Sequence, residues 1–203
     1  MRRESHQPGE SADELMTSQD PPESPWKTLA AHVAYENSWI RVVEYAVTRP
    51  DGSLGVYGVV EPGDNASVVA LDEHGYVYLA GEFNYPYQSY QWTIPTGKVE
   101  QGEEPLVAAR RELAEEAGIT ADRWTRLLEI RLSPGIARQV SHIYLAEGLR
   151  FGPPNPEGTE HITVRKLLLA DAIQECLDGS IANAVSVAGL LRLGLDADRR
   201  AAR

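Results

Sequence analysis

The stretch GKVEQGEEPLVAARRELAEEAGI, residues 97–119, concentrates carboxylates in a short segment that has glycines near both ends. Six glutamates lie in it: Glu100, Glu103, Glu104, Glu112, Glu115 and Glu116. Pro105 suits the first turn of a helix, and Gly118 suits its end. Four apolar residues recur between them at helical spacing: Leu106, Ala109, Leu113 and Ala117. The pattern therefore predicts one short helix with an apolar face and an acidic face.

Three of these carboxylates, on Glu112, Glu115 and Glu116, share one face of the predicted helix. Like charges at this spacing destabilise a helix. One interpretation is a solvated acidic face, which is common on surface helices. The other is that divalent cations neutralise the cluster, because Mg²⁺ and Mn²⁺ take carboxylate, carbonyl and water oxygens as ligands. Charge spacing alone leaves both interpretations open.

The whole stretch resembles the Nudix box, GX5EX7REUXEEXGU, in which U is a bulky aliphatic residue, and every fixed position of that motif is matched. A motif that fixes residue identities over so long a segment is specific. The resemblance implies that Glu112 and Glu116 are the main ligands of Mg²⁺ or Mn²⁺, with Glu115 a further ligand or charge partner. It also implies that the carbonyl of Thr96 is a backbone ligand.

The same resemblance implies structural roles for the other motif positions. Gly97 lets the loop curl close to the metal, and Gly118 ends the helix. Glu103 and Arg111 brace the loop against the helix. For Arg111 an alternative stays open, which is a surface ion pair with a carboxylate one turn further along the helix.

Beyond the box, the chain resembles the Nudix branch that hydrolyses ADP-ribose and other nucleoside diphosphate sugars. The likeness runs from about Trp26 to Leu195 and includes Pro134 after the box and the acidic segment 156–164. It implies an α+β fold, an α/β/α sandwich around a mixed sheet, preceded by an N-terminal antiparallel strand region. It also implies a homodimer that pairs through the N-terminal strands. Trp39 and Trp26 lie in this N-terminal region, and each is then either a residue that stacks on the substrate or a buried dimer contact.

The activity implied by this branch is metal-dependent hydrolysis of a pyrophosphate bond, which gives two phosphorylated fragments. A carboxylate must take a proton from the attacking water. In this branch the base often comes from the acidic loop, so Glu160 is the first candidate and Glu157 the second. Both side chains are equally consistent with exposed loop acids.

Three positions depart from the branch pattern. An arginine usual in the strand before the box is replaced by Asn84, in Glu82-Phe83-Asn84-Tyr85-Pro86. A glutamate usual before the entrance of the box is replaced by Thr93, and the acidic residue usual after Pro134 is absent from the following Ile-Ala-Arg-Gln. Arg138 in that last stretch is a candidate for the missing phosphate contact. These departures leave hydrolysis as the expected activity and the identity of the substrate open.

The rest of the chain suggests one domain, residues 26–203, after a mobile tail of residues 1–25 that is poor in apolar side chains. We expect an N-terminal strand region at 26–62 and a catalytic core at 63–203. Hairpin turns are predicted at residues 50–52 and 73–75. After the box, we expect strands at 125–132 and 140–149, a short strand at 162–168, and helices at 170–178 and 182–195.

The composition of the chain excludes several classes of binding partner and covalent cross-link. A net charge of -11 argues against nucleic acid and anionic lipid as partners, because both repel an acidic surface. No apolar run is long enough to span a membrane, so we expect a cytoplasmic protein. The single cysteine, Cys176, excludes an intramolecular disulfide.

Two other functions remain open at this level. One is hydrolysis of nucleoside triphosphates or dinucleoside polyphosphates, because the box reports the bond that is cleaved and little of what is attached to it. The other is a non-catalytic Nudix-like nucleotide sensor, for which we would expect a damaged box. Glu112, Glu115 and Glu116 are all present, so we place that alternative last.

Overall fold

The computed structural model describes residues 23–155 and 161–201. Nearly all of the predicted tail therefore lies outside the described residues. The described strands are β1 (Lys27–Glu36), β2 (Arg41–Thr48), β3 (Leu54–Glu61), β4 (Asn65–Ala70), β5 (Tyr76–Asn84), β6 (Ser89–Thr93), β7 (Thr96–Lys98), β8 (Ile119–Arg131), β9 (Val140–Phe151) and β10 (Thr163–Leu168). The described helices are α1 (Pro105–Ala117), α2 (Leu169–Asp178) and α3 (Ala184–Ala201).

The strands form three sheets, with the orders β1-β2-β3, β10-β5-β6 and β7-β4-β9-β8. The last sheet is mixed, because β4 runs parallel to β9 whereas β7 and β8 pair antiparallel with their neighbours. Both faces of this sheet are covered. The predicted α/β/α sandwich around a mixed sheet is thus confirmed.

Alternate residues of β4 and β9 supply two separate cores, as the period of a strand requires. One face packs against α2 and α3, through Val69, Ile143, Leu145, Ala172, Val185, Leu190 and Leu193. The opposite face packs against α1, through Ala66, Val68, Tyr144, Ala108, Ala109 and Leu113. The central sheet therefore fixes α1, which carries the acidic face, by burying its apolar face.

The chain divides into two compact units. In its described part the first consists of residues 23–32 and Glu44–Tyr57, and it contains the turn between β2 and β3. Gly52 adopts φ 83° there, and the N–H of Arg49 donates to the carbonyl of Ser53, which confirms the predicted hairpin. The second unit, Val33–Val43 with Gly58–Arg203, contains both cores and the candidate site.

The second predicted hairpin is wrong in part. A turn does lie between β4 and β5, where Gly75 has φ 81° and the Asp72 carboxylate accepts the N–H groups of His74 and Tyr76. The two strands nevertheless enter different sheets. Alternation cannot show this, because β4 is buried on both faces and its partner β9 lies far along the chain.

Several boundaries also differ from the prediction. Strand β8 begins at Ile119 rather than 125, and β9 ends at Phe151 rather than 149. The last helix begins at Ala184 rather than 182, because the Asn183 side chain caps it by accepting the N–H of Ser186. It continues beyond Leu195, where Arg192 and Asp196 pair one turn apart. Among the described residues, no helix has the length and apolar character needed to cross a membrane.

Candidate active site

Helix α1 begins and ends where its sequence predicts. Pro105 occupies the first turn, and Gly118 closes the helix with φ 63°, its N–H donating to the carbonyl of Ala114 at 3.0 Å. A Cβ at Gly118 would collide with the backbone of Gly152 and Pro153. Two constraints, a left-handed conformation and a close backbone approach, therefore both require glycine at this position.

Strand β7 brings the loop before the helix against the acidic face. It pairs antiparallel with the start of β4, and the backbone N–H of Thr96 donates to Oε2 of Glu116 at 3.2 Å. The carboxylate of Glu112 lies over Gly97 so closely that a Cβ on this glycine would overlap it. The loop at the start of the predicted motif and the acidic face of its helix thus meet in space.

Arg111 ties the loop to the helix through all five of its N–H groups. Its Nε–H donates to Oε1 of Glu103 at 3.2 Å, and its Nη1 donates to Glu112 at 2.6 Å and Glu115 at 3.1 Å. Its Nη2 donates to the carbonyl of Lys98 at 2.9 Å and to Oε2 of Glu103 at 3.1 Å. A guanidinium has five donors, so none is left without an acceptor from the protein.

These bonds fix the charges of the partners. Hydrogen bonds from Arg111 lower the pKa of the Glu103 carboxyl below its ordinary value. The hydrogen bond to Glu103 in turn raises the pKa of the Arg111 guanidinium, and Glu112 and Glu115 add to that rise. Both groups therefore remain charged at neutral pH, and the brace between loop and helix persists.

A cavity of about 300 Å³ lies between this loop and the helix. Its lining joins the acidic residues to two residues of the N-terminal part of the chain: Ser38, Trp39, Thr96, Gly97, Lys98, Glu100, Arg111, Glu112, Glu115 and Glu116. Trp39 lies at the edge of this cavity and is 74% exposed. We call this space the carboxylate cavity.

The donor set of the carboxylate cavity fits a hard divalent cation. Glu112, Glu115 and Glu116 offer carboxylate oxygens beside the backbone of Thr96, and the absence of a side chain on Gly97 makes room for the Glu112 carboxylate. Among the described residues these side chains do not stand together as a group of three metal ligands, and Arg111 forms ion pairs with Glu112 and Glu115. A bound cation would compete with Arg111 for these two carboxylates.

The remaining predicted residues lie elsewhere. Asn84 ends β5, where its Oδ1 accepts the N–H of Tyr87, and it does not line the carboxylate cavity. Arg138 lies in a different cavity and donates from Nη1 to Oε1 of Glu61 at 2.9 Å. Glu157 and Glu160 lie outside the described residues, so their predicted role as base stays a prediction.

Sequence reasoning missed three residues that line the carboxylate cavity, namely Ser38, Lys98 and Glu100. Lys98 and Glu100 stand inside the motif at positions where any residue is allowed, so the motif gave no signal for them. Ser38 precedes Trp39, and only the long-range packing of the chain brings it here. Adjacency to Gly97 was the one available clue to Lys98.

A larger cavity, of about 410 Å³, lies beyond the other end of β4. Its lining includes Asp72, Tyr78 and Lys166, and the Asp72 carboxylate there accepts hydrogen bonds from both of the others. It contains no residue of the box. Size alone does not make it the better candidate, because its charged groups are already committed to one another.

Comparison with known proteins identifies the family. The sequence profile of the NUDIX domain matches residues 61–186, which include the whole carboxylate-bearing loop and helix. The chain belongs to the Nudix family. A second profile, of the nucleoside diphosphate sugar hydrolase N-terminal domain, matches residues 26–60. Nudix hydrolases generally use divalent metal ions, in keeping with the oxygen donors of the carboxylate cavity.

Relatives within the Nudix family resemble the chain over most of its length. It is 29% identical over 172 residues to the ADP-ribose pyrophosphatase of Mycobacterium tuberculosis, with 83% of each protein covered. It is 31% identical over 150 residues to the ADP-ribose pyrophosphatase of Bacillus subtilis, covering 73% of this chain and 81% of the relative. A crystal structure of an ADP compounds hydrolase superposes with a TM-score of 0.78 at 20% identity, over 89% of this chain and 98% of that one.

Proposed function

We propose that this Nudix enzyme hydrolyses the diphosphate bond of a nucleoside diphosphate sugar such as ADP-ribose, with Mg²⁺ or Mn²⁺ as cofactor. The observation that carries the proposal is the carboxylate cavity, in which three glutamates of one helix face a glycine loop and an exposed tryptophan. The relatives named as ADP-ribose pyrophosphatases support the substrate class.

In this proposal Glu112, Glu115, Glu116 and the carbonyl of Thr96 hold the cation. When bound, the cation withdraws charge from the phosphate oxygens and lowers the pKa of a water molecule. Arg111 keeps the loop and helix at a fixed separation, so the carboxylates start close to their working positions.

The reaction balances without any further reagent. The oxygen of water forms a bond to phosphorus, the bridging phosphorus–oxygen bond breaks, and the leaving phosphate keeps the bonding electrons. A carboxylate takes the proton of the water, and we assign this role to Glu160 first and Glu157 second. From ADP-ribose the products are AMP and ribose 5-phosphate.

Trp39 supplies a stacking surface for the base of the substrate. Trp39 is 74% exposed, and covering a large aromatic ring that is in contact with water lowers the free energy. It lies on the edge of the carboxylate cavity. A Trp39→Leu variant should therefore raise KM for ADP-ribose more than KM for a diphosphate without a base. A Trp26→Leu variant changes the other candidate tryptophan, which does not line the carboxylate cavity, and should not show this difference.

We also propose that the enzyme works as a homodimer in the cytoplasm, with residues 26–62 as the N-terminal strand region and 63–203 as the catalytic core. Every residue of β1 is exposed, and this strand lies at the edge of its sheet, which supports pairing with a second copy. The reducing cytoplasm suits a chain whose one cysteine cannot form an internal disulfide.

A substrate panel tests the proposed function. The purified protein is incubated with Mg²⁺ or Mn²⁺ and with ADP-ribose, GDP-mannose, UDP-glucose, NADH, diadenosine polyphosphates or nucleoside triphosphates, and products are identified by chromatography. A Glu116→Gln variant removes a carboxylate of the cavity. A Glu104→Gln variant is the matched control, because Glu104 is exposed and its side chain caps nothing.

We expect metal-dependent cleavage of a nucleoside diphosphate sugar that is lost in Glu116→Gln and kept in Glu104→Gln. Cleavage of triphosphates or dinucleoside polyphosphates instead would replace the proposed substrate class. Tight nucleotide binding without cleavage of any compound would make the chain a nucleotide sensor and overturn the proposal.

A further inference from the structure

Lys98 lies on the wall between two adjoining cavities. One is the carboxylate cavity, and the other is a space of about 210 Å³ lined by residues 37–41, residues 61–63 and Lys98. Ser38, Trp39 and Lys98 line both. A ligand that reaches from the glutamates toward Trp39 therefore lies in a space that Lys98 lines.

The only cationic side chains that line the carboxylate cavity, among the residues the structure describes, are Arg111 and Lys98. Arg111 has given all five N–H groups to acceptors within the protein. The Lys98 ammonium makes one long contact, 3.5 Å to the carbonyl of Ser38. An ammonium has three donors, so Lys98 retains the capacity to bind an anion.

The stem of Lys98 lies close to Gly63, although Lys98 is exposed. A Cβ added to Gly63 would lie 3.2 Å from Cε of Lys98, so the stem crosses directly over this glycine. Gly63 has φ 84°, which favours glycine for its own conformation. The ammonium is therefore positioned by its stem rather than by a carboxylate partner.

A second positive charge beside the metal site suits the chemistry of the proposed reaction. A diphosphate that approaches Glu112, Glu115 and Glu116 meets like charge, in a chain whose net charge is already -11. Neither of the other candidates for a phosphate contact lines the carboxylate cavity. Asn84 ends β5, and Arg138 lines a different cavity, where it donates to Glu61.

We propose that Lys98 is a substrate-binding residue, whose ammonium donates to a non-bridging oxygen of the phosphate nearer Trp39. This inference rests on the proposed function, which it deepens by naming the phosphate contact of the site. Lys98 thereby holds the diphosphate between the carboxylates and the tryptophan. It contributes to the binding of substrate and not to the ligation of the metal.

Kinetics of Lys98 variants test the inference. We expect Lys98→Gln to raise KM for the substrate about ten- to a hundredfold, which is the range for loss of one hydrogen bond to a charged group, with little change in kcat. Lys98→Arg should recover most of the affinity, because it restores the charge. The Mg²⁺ concentration for half-maximal activity and the melting temperature should stay at their wild-type values.

The control is Arg110→Gln, because Lys166 is bound to Asp72 and Lys27 lies on β1, the proposed dimer strand. Arg110 is an exposed cation on α1 that does not line the carboxylate cavity. An unchanged KM in Lys98→Gln would overturn the inference. A fall in kcat alone, or failure of Lys98→Arg to recover affinity, would also overturn it.

A binding measurement separates this inference from the proposed function. Calorimetry with Mg²⁺ and α,β-methylene ADP, a diphosphate that is not hydrolysed, reports the phosphate contact whatever the natural substrate is. We expect affinity to fall in Lys98→Gln and to hold in Arg110→Gln. If the panel shows triphosphate hydrolysis, the proposed substrate class fails, but the same variants still test Lys98 on the triphosphate.

Discussion

The carboxylate of Glu112 occupies the space that a side chain on Gly97 would fill. The two residues lie fifteen positions apart, one before the helix and the other on its acidic face. Gly97 is therefore required by the close approach of a functional group, and its own φ lies outside the positive range that favours glycine. This contact explains physically why the motif begins with glycine.

We expect Gly97→Ala to displace the Glu112 carboxylate and to reduce kcat about a hundredfold, the order of loss that a displacement of about 1 Å produces. The melting temperature should change little, since the carboxylate is the flexible end of its side chain. Steady-state kinetics and thermal unfolding measure the two effects. Gly58→Ala is the matched control, because a Cβ there meets no atom within 4 Å. Wild-type kcat in Gly97→Ala would contradict the prediction.

Replacement of Arg111 tests the brace between loop and helix. Lysine keeps the charge but has three donors and no planar fork. The acceptors of Arg111 are Glu103, Glu112, Glu115 and the carbonyl of Lys98. Arg111→Lys must therefore leave some of these acceptors without a donor. We expect the free energy of unfolding to fall by about 1–3 kcal/mol, and kcat to fall with it. Urea denaturation and kinetics provide the measurements.

Arg110→Lys is the matched control for that substitution. The Arg110 guanidinium lies 5.6 Å from the centre of the Trp124 ring, and its side chain is exposed. A cation over an aromatic ring at an exposed site contributes about 0.5–1 kcal/mol, and lysine retains part of it. Equal losses in the two variants would show that Arg111 acts as an ordinary surface arginine.

Asp72 makes stability depend on pH. Burial raises the pKa of its carboxyl, but hydrogen bonds from Lys166, Tyr78 and the backbone N–H groups of His74 and Tyr76 together lower the pKa to about 2. Because the folded pKa lies below the ordinary value of 3.8, the ionised carboxyl stabilises the fold above about pH 4. This stabilisation is lost as the pH falls toward 2.

We therefore expect Asp72→Asn to lower the free energy of unfolding by about 2 kcal/mol at pH 7, and the difference from wild type to shrink between pH 4 and 2. Urea denaturation across this range measures the difference. Glu73→Gln, in the adjacent exposed position, serves as the control and should show no such trend. A difference that stays constant from pH 7 to pH 2 would rule out ionisation of Asp72 as its cause.

The sequence predicts the local parts of the site well. Pro105 and Gly118 define the ends of α1, and the spacing of the apolar residues defines its buried face, because all of these signals act within one helix. The position of Asn84 could not be predicted, because its Oδ1 closes a turn that depends on the hairpin of β5 and β6. The contribution of Ser38 and Trp39 could not be predicted from the motif either, since distant strands bring them to it.

The proposed homodimer makes a prediction about β1, whose side chains alternate between two faces. One face presents apolar residues, among them Leu29, Val33 and Tyr35, which are 59%, 41% and 54% exposed. A row of exposed apolar side chains on an edge strand favours association, because covering it removes apolar surface from water. We expect Val33→Glu to convert a dimer to a monomer in size-exclusion chromatography with light scattering. Ala34→Glu introduces the same charge on the opposite face and should leave the dimer intact. A wild-type protein that is monomeric would exclude this interface altogether.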